Sequence, residues 1–218
     1  METAILIDGT FLRKKFKRVF NQTVKAADVE QFVKCILQSL SFEQKDYRAY
    51  FYDCRPCEGE TTLPVSRSRY FFEKQPQFKE GNQLLDEISN LDFFAVREGT
   101  LQFSGWLLRK KSYQKNSPYE DSDYSPNLSQ KGVDIKIGLD IAWISFAKTF
   151  EKLILVSADS DFVPSIKVAR RSGIPVYLFT LAHGVNSKLI RNADVVKKES
   201  IKDLFQNKNT SRGVCSCL

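Results

Sequence analysis

Two short apolar runs, each followed closely by aspartate, constrain this chain more than any other feature. Residues 3–7, Thr-Ala-Ile-Leu-Ile, run straight into Asp8-Gly9, and residues 152–156, Lys-Leu-Ile-Leu-Val, lead to Asp159-Ser160-Asp161. A compact apolar run of this kind reads as a strand covered on both faces, the mark of a parallel sheet. A carboxylate just past such a strand lies at the carboxyl edge, where open α/β sheets bind their ligands.

The intervals between the runs supply the crossovers such a sheet needs. The chain from Phe11 onward is amphipathic, and Val29, Phe32, Val33, Ile36, Leu37 and Leu40 recur at helical spacing over residues 28–40. Residues 47–52 then alternate aromatic and polar like a strand, which completes a β-α-β unit. The stretch 55–91 mixes charges, aromatics and turn residues, and helices are expected over 66–72 and 82–90. Residues 93–97 read as a third strand, and 101–110 as an extension of the sheet by a hairpin. Residues 112–130 are polar, hold two prolines and have no period, which predicts a mobile loop.

The second half repeats the pattern. Ile137, Ile141, Ile144 and Ala147 form one stripe of a helix over 133–150, followed by the strand 152–156 and a helix over 162–171 capped by Ser172-Gly173. Residues 175–179 read as the next strand, 186–191 and 200–205 as short closing helices, and 194–196 as a last short strand. No internal repeat is visible. Residues 206–218 lack a core pattern and are expected to form a loose tail.

The chain has 218 residues, enough to bury a sizeable core without disulfide or metal staples. Its 42% hydrophobic and 27% charged residues are ordinary globular usage. No segment reaches the roughly 20 apolar residues of a membrane span, no basic leader precedes the first apolar run, and five cysteines are an odd number; a soluble cytoplasmic protein with reduced thiols and no membrane partner is expected. A net charge of +7 permits attraction to a polyanion but says nothing of chemistry. His183 is the only histidine, which excludes paired-histidine mechanisms and histidine-rich metal sites. Neither a Gly-x-Ser-x-Gly elbow nor a Gly-x-x-x-x-Gly-Lys phosphate loop occurs. Cys54-Arg55-Pro56-Cys57 lacks the further ligands zinc needs, since the other close pair, Cys215 and Cys217, lies in the tail. The last four residues match a loose prenylation pattern whose inner position is not aliphatic.

Asp8 and the Asp159/Asp161 pair fall at one edge of the expected sheet, and Asp134, which opens the helix after the long polar stretch, can project into the same cleft. Carboxylates gathered within a few ångströms repel, and a hard divalent cation relieves the repulsion. Oxygen-only ligation suits Mg²⁺ or Mn²⁺, and phosphodiester hydrolysis is the reaction class that follows. Each aspartate also has a plain structural reading, Asp8 as a turn residue and Asp159 as a helix cap. The second Asp-Ser-Asp, residues 121–123, has no buried strand before it.

Ile5-Leu6-Ile7-Asp8-Gly9, Lys131-Gly132-Val133-Asp134 and Leu155-Val156-Ser157-Ala158-Asp159-Ser160-Asp161-Phe162-Val163-Pro164 together resemble the NYN family of the PIN-like nuclease superfamily. The segments 170–176 and 189–194 resemble the family's closing part. The resemblance implies a three-layer α/β/α PIN-like fold with a mainly parallel central sheet, as one NYN domain over residues 1–205 and a tail over 206–218. It implies a Mg²⁺ or Mn²⁺ site with Asp8, Asp134, Asp159 and Asp161 as catalytic and metal-binding residues, and endonucleolytic cleavage of single-stranded RNA. Asp140 is a weaker candidate, about 240° around the helix from Asp134. Thr10 stands where family members often carry Asn.

Thr10, Lys136, Ser157, Arg13 and Lys14 are the candidate substrate-binding residues. Basic runs at 13–18, 109–111 and 170–171 can neutralise phosphates, and Phe103, Trp106 and Tyr113 can stack bases. The alternative to an active nuclease is a catalytically weak or inactive NYN-fold RNA-binding or regulatory module. A haloacid-dehalogenase-type phosphatase needs a second Asp at position 10, where this chain has Thr. A homo-oligomer is left open.

Overall fold

The computed structural model describes residues 2–206. Elements follow in the order β1 (Thr3–Asp8), α1 (Gly9–Phe20), α2 (Ala26–Ser39), β2 (Tyr47–Cys54), β3 (Glu60–Thr62), β4 (Arg69–Phe71), α3 (Pro76–Ser89), β5 (Phe94–Leu108), β6 (Tyr124–Lys131), α4 (Val133–Ala147), β7 (Lys152–Val156), α5 (Val163–Arg171), β8 (Val176–Phe179), α6 (Ser187–Asn192), β9 (Val195–Lys197) and α7 (Ile201–Gln206). Seven strands form one sheet in the order β6-β5-β2-β1-β7-β8-β9, parallel throughout except for β6 against β5.

The alternation of side chains along the central strands divides the core in two. Ile5 and Ile7 join Val29, Phe32, Val33, Ile36, Leu84 and Ile88 beneath α1, α2, α3 and α7. Ala4 and Leu6 on the opposite face join Ile137, Ile141, Ile144, Ile166 and Leu189 beneath α4, α5 and α6. The result is the three-layer α/β/α architecture the sequence implied. β1 is sealed between β2 and β7, and its five residues from Thr3 to Ile7 are all buried, which is why the sequence there carries no polar face.

Strand order reverses at β1. The chain leaves β1 toward β2 through α1 and α2 on one face, and returns through α4 to β7 on the other. The crevice above the carboxyl ends of β1 and β7 is therefore the topological switch point of the sheet.

Several expectations are corrected. Residues 66–71 are not helical and Phe72 only opens a 3₁₀ turn (Phe72–Lys74): Arg69–Phe71 pairs antiparallel with Glu60–Thr62 in a short hairpin, and helix α3 starts at Pro76 rather than at 82. Residues 112–130 are not one loop, because residues 124–130 lie in β6, which pairs with β5 from Thr100 to Leu108. β6 is an edge strand, where Pro126 costs no central ladder bond and polar side chains meet solvent. Ala147 is exposed at the end of α4 rather than part of its buried stripe. Cys215, Cys217 and, apart from Gln206, the expected tail lie outside the described residues.

β5 runs well past the sheet. Its residues 94–99 pair with β2, whereas 100–108 continue beyond the carboxyl edge paired only with β6, with a bulge between Phe103 and Trp106. Phe103 and Trp106 pack edge-on against Phe72 and Tyr70, and the Trp106 indole N–H donates to the Thr62 carbonyl at 2.9 Å. The β3–β4 hairpin thus braces a two-stranded arm that rises beside the switch point.

Candidate acidic site

Asp8 is the last residue of β1 and the N-cap of α1, its Oδ1 accepting the Phe11 amide at 2.9 Å. Gly9 permits this abrupt strand-to-helix turn, since a Cβ there would lie 2.7 Å from both the Phe51 ring and the Tyr52 carbonyl oxygen. Strand parity puts Asp8 on the same face as Ala4 and Leu6, the face covered by α4. Asp134 lies in the first turn of that helix, which Gly132 opens with a φ of 82°, a left-handed conformation that suits glycine. Asp159 caps the short 3₁₀ turn after β7 by accepting the Asp161 amide at 2.9 Å, and its own amide donates to the Ser157 hydroxyl at 3.2 Å. Ser157, fully buried, also reaches Asp8 at 3.5 Å. The plain cap readings of Asp8 and Asp159 are therefore both true, and neither uses up its carboxylate.

The four aspartates are electrostatically coupled. Burial pushes the Asp8 carboxyl up to about 6; the Phe11 amide opposes this, the charges of Asp134 and Asp53 add to it, and Lys14 opposes it again. Asp134 is likewise raised, by burial first and then by Asp159 and Asp161. Desolvation leads in both cases, and like-charged neighbours add to it. Among the described residues no three His, Cys, Asp or Glu side chains close into a ready metal-ligating group. The donor chemistry nevertheless fits a hard divalent cation: every candidate ligand is a carboxylate oxygen, and a cation would relieve the smaller, Coulombic part of the upward shifts at Asp8 and Asp134.

Asp53 is the residue that sequence reasoning missed. It is the penultimate residue of β2, one register position beyond the Tyr52 that pairs with Asp8, and only 1% of it is exposed. Its carboxylate accepts from Arg13 Nη1 at 2.9 Å, Thr10 Oγ1 at 3.3 Å, Gln130 Nε2 at 3.0 Å and the Cys54 amide at 2.8 Å. Thr10 and Arg13 are thus held on Asp53, and Gln130 ties the base of the β5–β6 arm to the same point. The carboxyl-edge rule that singles out Asp8 would have found Asp53, had the strand been carried past Tyr52.

Other candidates are placed as follows. Lys14 is exposed on α1 and its charge is felt at Asp8. Lys136 is exposed with its ammonium on the Glu98 carbonyl. Asp140 is directed away from the cluster, accepting from the Tyr52 hydroxyl at 2.7 Å and Arg97 at 3.2 Å. Phe103 and Trp106 are spent bracing the arm, whereas Tyr113 is 61% exposed near its tip. The other Asp-Ser-Asp is structural: Asp121 accepts from the Val65 and Ser66 amides, and Asp123 from Ser112, Lys115 and the Glu120 amide. His183 lies edge-on to Phe11, 5.8 Å between ring centres. Cys35, Cys54 and Cys57 are free thiols.

A seven-stranded, mostly parallel sheet between two helical layers, with Asp8 at the end of β1 and Asp159 after β7 on its carboxyl edge, is a fold of the PIN-like type. The chain belongs to the NYN domain family, which it matches over residues 2–199. Membership suggests nuclease activity; such nucleases generally use divalent metals and act on RNA. The chain is 24% identical over 125 residues to the uncharacterized protein MJ0482 of Methanocaldococcus jannaschii, a match covering 55% of this chain and 52% of that protein, so it spans about half the length of that curated relative. A crystal structure of a protein of unknown function, VPA0982 from Vibrio parahaemolyticus, shares the fold with a TM-score of 0.50 and 17% identity, covering 94% of each chain. Among the described residues no helix is long and apolar enough to cross a membrane.

Proposed function

We propose that this protein is a metal-dependent endoribonuclease that hydrolyses phosphodiester bonds of single-stranded RNA in the cytoplasm. The observation that supports the reading is that Asp8 at the end of β1 feels the charge of Asp134, and Asp134 that of Asp159 and Asp161 after β7, so the four carboxylates are near enough to interact at the carboxyl edge of the sheet. These four residues would hold Mg²⁺ or Mn²⁺, which when bound supplies an activated water and charge neutralisation at the scissile phosphate.

The remaining groups have positional roles. Ser157 holds the turn of Asp159 through its hydroxyl and touches Asp8, so it fixes two of the acids relative to each other. Asp53 clamps Arg13 and Thr10 on the first turns of α1, and together with Lys14, whose charge acts on Asp8, these would present cationic and polar groups to a phosphate. Lys14 and the exposed Lys110 and Lys111 at the arm give the crevice two cationic flanks along which a single strand can lie. The arm's exposed Tyr113 is the side chain best suited to stack on an unpaired base.

The test is cleavage of labelled single-stranded RNA by purified protein with Mn²⁺ or Mg²⁺, alongside chelator and Asp159→Asn. Asparagine also caps a helical turn, so this variant keeps the fold while removing the charge. Cutting that needs the metal and is lost in both controls supports the nuclease. Tight binding of RNA without cutting, over a broad set of RNA and DNA, would overturn it in favour of a non-cutting RNA-binding module.

A further inference from the structure

Helix α4 is apolar on two opposite sides. Val133, Ile137, Ile141 and Ile144 are buried against the sheet. On the far side Ile135, Leu139, Trp143 and Phe146 are 68%, 63%, 70% and 75% exposed. At 100° per residue these four lie within an arc of about 80°, one continuous stripe. A helix that is hydrophobic all round is normally covered all round, and here the sheet covers only half of it.

The charged residues of α4 sharpen the point. Asp134 is directed to the acidic crevice, Lys136 to the Glu98 carbonyl, and Asp140 to Tyr52 and Arg97. None of the three lies inside the ~80° arc of the stripe, although Asp134 and Lys136 are exposed and Lys136 borders it, so the arc itself carries no charge. The four side chains expose on the order of 600 Å², the upper end of what a monomer usually shows in one patch (about 300–600 Å²).

From this face we infer that the protein forms a two-fold symmetric dimer in which α4 packs antiparallel on α4 of a second copy. Three observations select a second copy as the occupant. The stripe is complementary to itself: about an axis between residues 140 and 141, Ile135 lies level with the other copy's Phe146, and Leu139 within one residue rise (~1.5 Å) of its Trp143. Each pair sets an aliphatic side chain against an aromatic one, and an isologous interface requires such self-matching. The area is close to the roughly 800 Å² per partner of a standard interface, with neighbouring side chains able to supply the rest. The Lys and Arg rows that flank the apolar face of a membrane-surface helix are missing from α4, whose only basic side chain, Lys136, is bonded to the protein's own backbone. Residues 207–218 do not suit the stripe either, since Val214 and Leu218 are their only large aliphatic side chains.

The interface is separate from the acidic site. Antiparallel packing leaves the two Asp134 positions roughly a helix length apart, ~20 Å, each opening toward its own crevice. The experiment is sedimentation velocity on the full chain across a hundredfold concentration range, with Trp143 quenching by acrylamide read in parallel. The expected result is a species of twice the 25.0 kDa chain mass that dissociates on dilution as Trp143 becomes quenchable. Leu139→Glu should weaken association about 100-fold or more, because symmetry buries two carboxylates at once. Trp143→Phe keeps the aromatic and should remain dimeric, as should Asp159→Asn. Both probes lie on the exposed side of the helix, so unchanged circular dichroism and melting of the dissociated variant are expected. A wild-type chain that stays monomeric at 100 µM (~2.5 mg/ml), including one that binds lipid vesicles instead, would overturn the proposal, and so would a dimer that Leu139→Glu leaves intact.

Discussion

Removing the Arg13 guanidinium tests the arrangement beside the acidic crevice most directly. Asp53 is 1% exposed while the Arg13 side chain is 43% exposed, so the pair joins a buried carboxylate to a half-solvated cation. Arg13→Ala leaves that carboxylate with Thr10, Gln130 and the Cys54 amide but no compensating charge. Breaking a fully buried pair costs about 3–5 kcal/mol. The half-exposed guanidinium was never fully desolvated, and three neutral donors remain, so the expected loss is nearer ~2 kcal/mol, in the range of a charged hydrogen bond. For a chain of this length that corresponds to a melting decrease of roughly 4–8 °C. Urea unfolding at pH 7 gives the free energy, and Asp53→Asn with the double variant completes the cycle. Asp53→Asn keeps one acceptor and removes the charge that Arg13 balances, so in that background Arg13→Ala should cost little, with a coupling of ~1–2 kcal/mol. An Arg13→Ala loss below about 0.5 kcal/mol would place the pair among ordinary surface ion pairs and refute the reasoning.

Three further outcomes follow from the same geometry. Asp8→Asn should raise stability at pH 8, because the folded carboxyl titrates near 6 rather than 3.8 and its ionised form opposes folding; the penalty is absent below 3.8, grows between the two values and is full above 6. Its upper size is roughly 3 kcal/mol at about 1.4 kcal/mol per pH unit, so melts at pH 4 and pH 8 should show the gain only at the higher value, and an equal gain at both would refute it. Asp123 behaves with the opposite sign: Lys115, the Glu120 amide and Ser112 hold its carboxyl down at about 2, so Asp123→Asn should lower the urea midpoint at pH 7, and the difference should shrink as pH falls from 3.8 toward 2. Gly9→Ala forces a methyl into the Phe51 ring and the Tyr52 carbonyl and should cost about 1–3 kcal/mol in chemical unfolding.

The strands that lead to Asp8 and Asp159 were legible because burial on both faces leaves a strand almost no polar positions, and a run of four apolar residues with a clear end is hard to read otherwise. Edge and accessory strands offer no such signal. β6 reads as Tyr-Ser-Pro-Asn-Leu-Ser-Gln-Lys, and only its pairing with β5 makes it a strand. The β3–β4 hairpin is three residues a side and draws its order from Tyr70 and Phe72 packing on Trp106 and Phe103, which lie some thirty residues further along the chain. A local pattern over residues 66–72 cannot contain that information. Asp53 was hidden for a related reason: an ionisable residue inside a buried strand contradicts the pattern used to find strands, and its four donors come from α1, β6 and its own backbone.

Helix α4 shows the same boundary between local pattern and tertiary outcome. Its sequence, Val-Asp-Ile-Lys-Ile-Gly-Leu-Asp-Ile-Ala-Trp-Ile-Ser-Phe-Ala, carries apolar residues on nearly every side, so periodicity can find a helix and a stripe but not decide which stripe meets the sheet. Gly132 and Gly99 settle that choice. Gly132 opens the helix with a left-handed turn, and a Cβ at Gly99 would lie 2.6 Å from Val133, so the first turn is pressed against β5 with Val133 inward. Once Val133 faces in, the helical repeat carries Ile137, Ile141 and Ile144 in with it and leaves Ile135, Leu139, Trp143 and Phe146 out. The rotation that exposes the apolar stripe is therefore the one that also brings Asp134 to the crevice beside Asp8 and Asp159. A substitution that turned the helix to bury Trp143 would remove Asp134 from the acidic cluster, so rotation of α4 cannot hide the exposed stripe without dismantling the candidate site.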